Sequence, residues 1–214
     1  MRVLRAAGRT ASAWSNGGGV TREVAAAPSG AGWDAFDWRV SLAEVGRDGP
    51  YSALPGVDRV LTVADGAGLE LTVDGTRHEL HGRYHPFAFP GDAETGCRLL
   101  DGPVVNFNVM LRRGRSAATV EMARGDYAYT APPPTAPTAP GGQRSRLVVA
   151  LSGPATLDAE GPAPASPLPL ERYDAVLLPD AAGFALRTDG VVAVVTLTRA
   201  PSGGPCPGRR AGER

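Results

Sequence analysis

Glycine and proline set the rhythm of this chain: 28 glycines and 20 prolines are spread through 214 residues. They fall between short apolar runs, and no long segment keeps an apolar period near 3.6 residues. The runs are β-rich: Trp38 to Ala43, Val60 to Val63, Leu69 to Val73, Val104 to Met110, Leu147 to Leu151, Ala175 to Leu178 and Val191 to Leu197. Turn signals separate them, at Asp65-Gly66, Asp74-Gly75, Pro90-Gly-Asp92, Asp101-Gly-Pro103 and Asp189-Gly190. Many short strands joined by such turns predict an all-β, antiparallel sandwich or barrel with little helix.

A hydrophobic fraction of 43% and a charged fraction of 21% suffice for a sizeable core. The 22 cationic residues balance the 22 anionic ones, so no net positive field exists to hold nucleic acid or an anionic membrane. Every cation is arginine. The missing lysine excludes Schiff-base lysine chemistry and a Walker-type phosphate lysine. No apolar run approaches the roughly 20 residues that span a bilayer, and no signal-like apolar run follows the basic start. A cytoplasmic location is expected. Cys97 and Cys206 make neither a disulfide framework nor a zinc cluster.

Val60 to Gly66 aligns with Leu147 to Gly153, and the order of the following elements repeats. Each copy continues with a second short strand, a Leu before a turn (Leu80; Leu170) and a strand ending in proline (Pro90; Pro179). The offset of roughly 86 to 90 residues suits two copies of a small barrel. The expected division is residues 1–114 for a first half, 115–200 for a second and 201–214 for a disordered tail. A Pro-rich linker or exposed loop occupies 131–142.

Several polar positions stand out. Asn16-Gly-Gly-Gly-Val-Thr-Arg-Glu23 offers glycines for close backbone approach or an anion nest, or simply a glycine-rich bend. In Trp38 to Ala43, alternation puts Arg39, Ser41 and Ala43 opposite Trp38, Val40 and Leu42. Arg39 and Ser41 then line a polar cavity or face water, and an enclosed guanidinium would need a carboxylate. Arg59 is placed at a strand rim, with an ion pair to Asp58 or Glu44 as the alternative. Asn106, Asn108 and Met110 share one strand face, lining a wet cavity or lying on an exposed edge. Trp14, Trp33 and Trp38 crowd the start and are candidates for stacking on a ligand or for core packing. His78, His81 and His85 lack metal-ligand spacing, so neither a metal nor another cofactor is expected. No nucleophile elbow occurs, and no catalytic residue is assigned.

Val57 to Asp92 resembles a cupin half-barrel in Leu61 to Gly66, Leu71 to Gly75, Leu80 and Phe89-Pro-Gly-Asp92. Together with Trp14 to Glu23, Trp38 to Ala43, Asp48-Gly-Pro-Tyr-Ser52, Pro55 to Arg59 and Asp101 to Met110, these segments are similar to the HutD/Ves family. The resemblance covers about residues 10 to 200. It implies a double-cupin fold and a role beside histidine catabolism, sensing or buffering urocanate or a formylated glutamate intermediate. It brings no established enzymatic activity. Tyr51 and Leu54 stand where the family has Phe, and Asn106 where it has Asp.

With that resemblance, the expected ligand-binding set is Asn16, Gly17, Gly18, Thr21, Arg22, Glu23, Arg39, Ser41, Tyr51, Ser52, Arg59, Asn106 and Asn108. The expected partner is a small-molecule carboxylate, with Arg39 or Arg22 pairing with it and Glu23 accepting from a ligand N–H. A homodimer through sheet edges is a further expectation. The alternatives are a metal-free isomerase or hydrolase on the same metabolites, and a protein-interaction module.

Overall fold

Strand alternation and glycine turns build seventeen strands in a computed structural model that describes residues 1–131, 143–160 and 167–200. The Pro-rich stretch beyond residue 131 and the tail from 201, Cys206 included, lie outside the described residues. In chain order the strands are β1 (Arg2–Leu4), β2 (Ala11–Ala13), β3 (Gly19–Ala27), β4 (Trp38–Val45), β5 (Gly49–Tyr51) and β6 (Val57–Asp65). They continue with β7 (Gly68–Val73), β8 (Thr76–His81), β9 (Phe87–Pro90), β10 (Thr95–Leu99), β11 (Val104–Arg112) and β12 (Ser116–Tyr129). The last are β13 (Gln143–Ser152), β14 (Ala155–Ala159), β15 (Leu168–Leu170), β16 (Ala175–Pro179) and β17 (Phe184–Arg199). The helical content among the described residues is one 3-10 turn, Ala6–Gly8.

The first half curls a sheet in the order β2-β3-β4-β11-β6-β9 against a second in the order β5-β10-β7-β8. The second half is one sheet, β1-β16-β13-β17-β14-β15, with β12 also on β17. All pairings are antiparallel, from β1 on β16 to β7 on β8. Asp74 and Gly75 both take positive φ (45° and 78°), the mirror-image turn that lets Val73 pair with Thr76 across a two-residue hairpin.

The repeat seen in the sequence is a repeat of pairing. β6 pairs with β11 and β9, and β13 with β17 and β16. β7 pairs with β10 and β8, and β14 with β17 and β15. β17 therefore does the work of both β10 and β11. The expected turn at Asp189-Gly190 is instead an irregularity inside this strand. A Cβ on Gly190 would lie 1.6 Å from the Ser152 carbonyl oxygen, so the residue is a glycine because a neighbouring backbone touches it. The division at residue 114 also needs amending: β1 crosses over to the second half, where Arg2 to Leu4 pair with β16. Arg5 ties the crossing down by an ion pair with Asp174 at 2.7 Å.

Alternation distributes the core. Trp38, Val40, Leu42, Phe107 and Val109 point out of the first barrel onto Leu147, Val149, Ala193 and Val195 of the second, joining the halves through one buried layer. The interior of the second barrel is filled by Val148, Ala150, Val192, Val194, Leu186 and Phe184, with the buried Arg146 on the same strand face as Val148 and Ala150. The first barrel is filled at one end only, by Leu61, Val63, Leu69, Leu71 and Phe89. Its other end is hollow.

Candidate functional site

The hollow end is a cavity of about 280 Å³. Three cross-strand rows lie behind it, and Thr21, Ala43, Asn106, Asn108, Met110 and Arg59 are the members of them that line it. Thr21, Ala43, Asn106 and Val63 stand opposite one another across β3, β4, β11 and β6. Glu23, Ser41, Asn108 and Leu61 form the next row, and Ala26, Arg39, Met110, Arg59 and Phe89 the third. Residues in one row share a face, and the register shifts after Glu23 and before Asn106 keep the rows aligned across the four strands. Trp14 and Asn16 from the β2–β3 turn, Trp33 from the following loop, and Tyr51, Ser52 and Leu54 from β5 and beyond form the mouth.

Of the expected residues, Asn16, Thr21, Tyr51, Ser52, Arg59, Asn106 and Asn108 line the cavity. Gly17, Gly18, Arg22, Glu23, Arg39 and Ser41 do not, for visible reasons. Gly17 takes φ of 65° and its carbonyl accepts from Arg47 at 2.5 Å, while the Gly18 N–H donates to the Asn16 side chain at 2.9 Å. The glycine run thus builds the β2–β3 turn. Arg22 pairs with Glu44 on the outside. Arg39 pairs with Glu23 at 2.9 Å and its guanidinium carbon lies 4.2 Å from the Trp33 ring centre, so its charge is met within the chain. Ser41 is buried between its two sheet neighbours.

Arg59 is the cation of the cavity. It is 7% exposed and lies 5.1 Å from the ring centre of Tyr51 and 4.9 Å from that of Phe89. Neither proposed ion partner takes it. Asp58 accepts from Arg113 Nε at 2.7 Å, and Glu44 is engaged by Arg22. Its Nε is buried without a hydrogen-bond acceptor among the described residues. Burial pulls its pKa below the ordinary value, with Tyr51 partly opposing. Burial, then Cys97, push the Tyr51 hydroxyl well above the usual phenol range, which Arg59 and Asn106 only partly offset.

The amides complement it. Asn106 Nδ2 donates to the Tyr51 hydroxyl at 3.0 Å and Asn108 Nδ2 to the Asn106 carbonyl at 3.4 Å. Their Oδ1 atoms are buried without donors among the described residues. Buried polar atoms are normally partnered, and each left open costs about 1–3 kcal/mol. One guanidinium nitrogen and two amide oxygens, all buried and without a hydrogen-bond partner among the described residues, thus belong to residues of one cavity wall. Trp14 helps fix the mouth by donating Nε1–H to Thr21 Oγ1 at 2.8 Å.

Metal chemistry has no donor set here: among the described residues no three His, Cys, Asp or Glu side chains converge. His81 is exposed and contacts Glu79 at 2.5 Å, and the His78 ring packs 4.7 Å from that of Phe87. No helix of the described residues is long and apolar enough to cross a membrane. Alternation alone marked Met110 as a neighbour of Asn108. Alternation also put Ala43 on the face of Arg39 and Ser41, and it lines the cavity, whereas nothing local marked Pro50 or Ser12 as wall residues.

A profile of the HutD family matches residues 6–196. An uncharacterized 21.2 kDa protein from the hutC 3′ region of Pseudomonas putida is 35% identical over 125 residues, 58% of this chain and 65% of that protein. The match thus spans just under two thirds of that relative. Protein Ves of Cronobacter sakazakii is 37% identical over 142 residues, covering 65% of this chain and 70% of its own length. Among solved structures, HutD from Pseudomonas fluorescens SBW25, from a formate condition, superposes with a TM-score of 0.75 at 28% identity, covering 93% of this chain and 98% of its own. A conserved protein of unknown function from Pseudomonas aeruginosa PAO1 gives 0.76 at 30% identity, covering 92% and 97%. A cupin 2 barrel protein from Leptotrichia buccalis, at 11% identity and a TM-score of 0.51 over 85% of this chain and 89% of its own, shares the fold alone. With nearly the whole described chain matched in sequence and in strand arrangement, this protein belongs to the HutD family, on a double-cupin fold.

Proposed function

We propose that the chain is a metal-free binding protein for a small carboxylate metabolite of histidine catabolism, such as urocanate or a formylglutamate, which it buffers or senses. The observation that carries this reading is the guanidinium of Arg59, buried at the cavity wall without a carboxylate partner among the described residues. A carboxylate pairs with its fork in two parallel hydrogen bonds. The Oδ1 atoms of Asn106 and Asn108 accept from the imidazole or amide N–H of such a ligand, and Trp14 and Trp33 flank its planar part. The link to histidine catabolism rests on family membership and on the hutC neighbourhood of the Pseudomonas putida relative.

Binding is favoured over catalysis by the site's ionisable groups. Those lining the cavity are Arg59 and Tyr51, and burial shifts the phenol further from neutrality. Neither exchanges a proton near pH 7, so general acid–base catalysis lacks a participant there. Titration calorimetry with urocanate and with formylglutamate tests the reading. Saturable heat is expected from one of them with the parent protein and a far weaker response with Arg59→Met. Folded protein giving no heat at millimolar ligand rejects the assignment.

A further inference from the structure

Strand register places a second arginine at the position of Arg59. Arg59 stands opposite Met110 and Phe89, and Arg146 of β13 stands opposite Thr196 and Leu178, the matching positions of the second half. Tyr51 stands opposite Thr95 at the start of β10, and Tyr129 opposite Phe184 at the start of β17. The contact is repeated too: the Arg146 guanidinium carbon lies 3.6 Å from the centre of the Tyr129 ring, and its Nη2 donates to the Tyr129 hydroxyl.

Two differences accompany this likeness. Asn106 and Asn108 are matched by Val192 and Val194, so the second interior carries apolar side chains where the first has its two amides. Arg146 also has an anion. Asp180 Oδ1 accepts from Nη1 at 2.9 Å, and the Asp180 carbonyl oxygen accepts from the same atom at 3.1 Å. Asp180 follows Pro179 as Gly91 follows Pro90, so the first half has no side chain at the corresponding position.

From this we infer that the second half holds a self-occupied copy of the arginine site. The Asp180 carboxylate is its built-in ligand, and its removal turns Arg146 into an acceptor for a free small carboxylate such as formate or acetate. The Arg146 side chain is 3% exposed and that of Asp180 23%, so the carboxylate seals the guanidinium from the solvent side. Truncating it opens a path from solvent to a buried charge, and a charge left unpaired there is strongly destabilising. An anion that binds the folded chain alone restores stability by mass action. This inference goes beyond the function proposed for the first half and does not depend on it.

The test is made in full-length Arg59→Met protein, so that the first cavity contributes no arginine response. Thermal midpoints are compared in formate and in chloride at equal ionic strength. Adding Asp180→Ala should lower the midpoint in chloride by on the order of 10 °C. Formate should return at least half of that loss. Arg59→Met alone, and Arg59→Met with Asp180→Ala and Arg146→Met, should give equal midpoints in the two salts. The inference is overturned if the Asp180→Ala protein responds equally to formate and chloride, or loses no stability. It is overturned equally if that protein folds in neither salt, or if the variant lacking Arg146 responds to formate as strongly.

Discussion

Arg59 and Tyr51 meet as cation and ring face, 5.1 Å apart, on the wall of a cavity whose lining among the described residues supplies the guanidinium with no carboxylate. The aromatic faces of Tyr51 and Phe89 offset part of the desolvation of the charge but do not replace an anion. Arg59→Met should therefore separate stability from binding. The ligand-free variant is expected to melt no lower than the parent, because a buried unpaired charge has been removed. Carboxylate affinity should fall by about 2–5 kcal/mol, roughly 30-fold or more, in titration calorimetry. A variant that binds as tightly as the parent removes Arg59 from the site.

Asn108→Val copies into the first barrel what the second already has at Val194. It deletes a buried amide oxygen that has no donor among the described residues. Stability should be kept or raised by about 1 kcal/mol, while affinity for a ligand bearing an N–H should weaken by about 1–2 kcal/mol. Denaturant unfolding and calorimetry on one preparation check both. Weaker folding together with unchanged binding would contradict an orienting role.

Arg113 grips Asp92 with both terminal nitrogens, at 2.7 and 2.8 Å, and Asp58 with its Nε. The fork, and then the turn's own backbone, hold the Asp92 carboxyl down at about 2. An ordinary unfolded aspartate titrates near 3.9, so the folded pKa is the lower one. Its contribution is complete above about pH 4 and is lost as pH falls toward about 2. Asp92→Asn should thus shrink the stability gap between pH 5 and pH 2. A pH profile of the thermal midpoint parallel to that of the parent would show that Asp92 carries none of it.

Phe107 is fully buried where β11 of the first barrel meets the sheet of the second. Phe107→Ala should cost about 3–5 kcal/mol. Because this layer belongs to both halves, unfolding should remain one calorimetric transition in parent and variant. Two resolved transitions in the parent would show that the halves unfold independently.

Much of this was legible in order along the chain. Alternation in Trp38 to Ala43 and in Val104 to Met110 assigned the two faces, since a side-chain period of two depends only on the backbone. The four-element repeat announced the second barrel, and Asp74-Gly75 its hairpin. The long β12, where partly buried and exposed residues alternate, offered no apolar run to read. Which arginine stands unpaired was not legible at all. Arg22, Arg39 and Arg59 are each next to or near an acid in sequence, yet Glu44, Glu23 and Asp58 are allotted by three-dimensional proximity, the last of them to Arg113. The sequence by itself determined the apolar strands, their two faces and the duplication, because these follow from local sterics and period. Only the tertiary structure decided that β1 joins the second sheet, that one barrel end stays hollow and that Arg59 faces it alone. Charge pairing and space filling are set by residues far apart in the chain, and no local pattern records them.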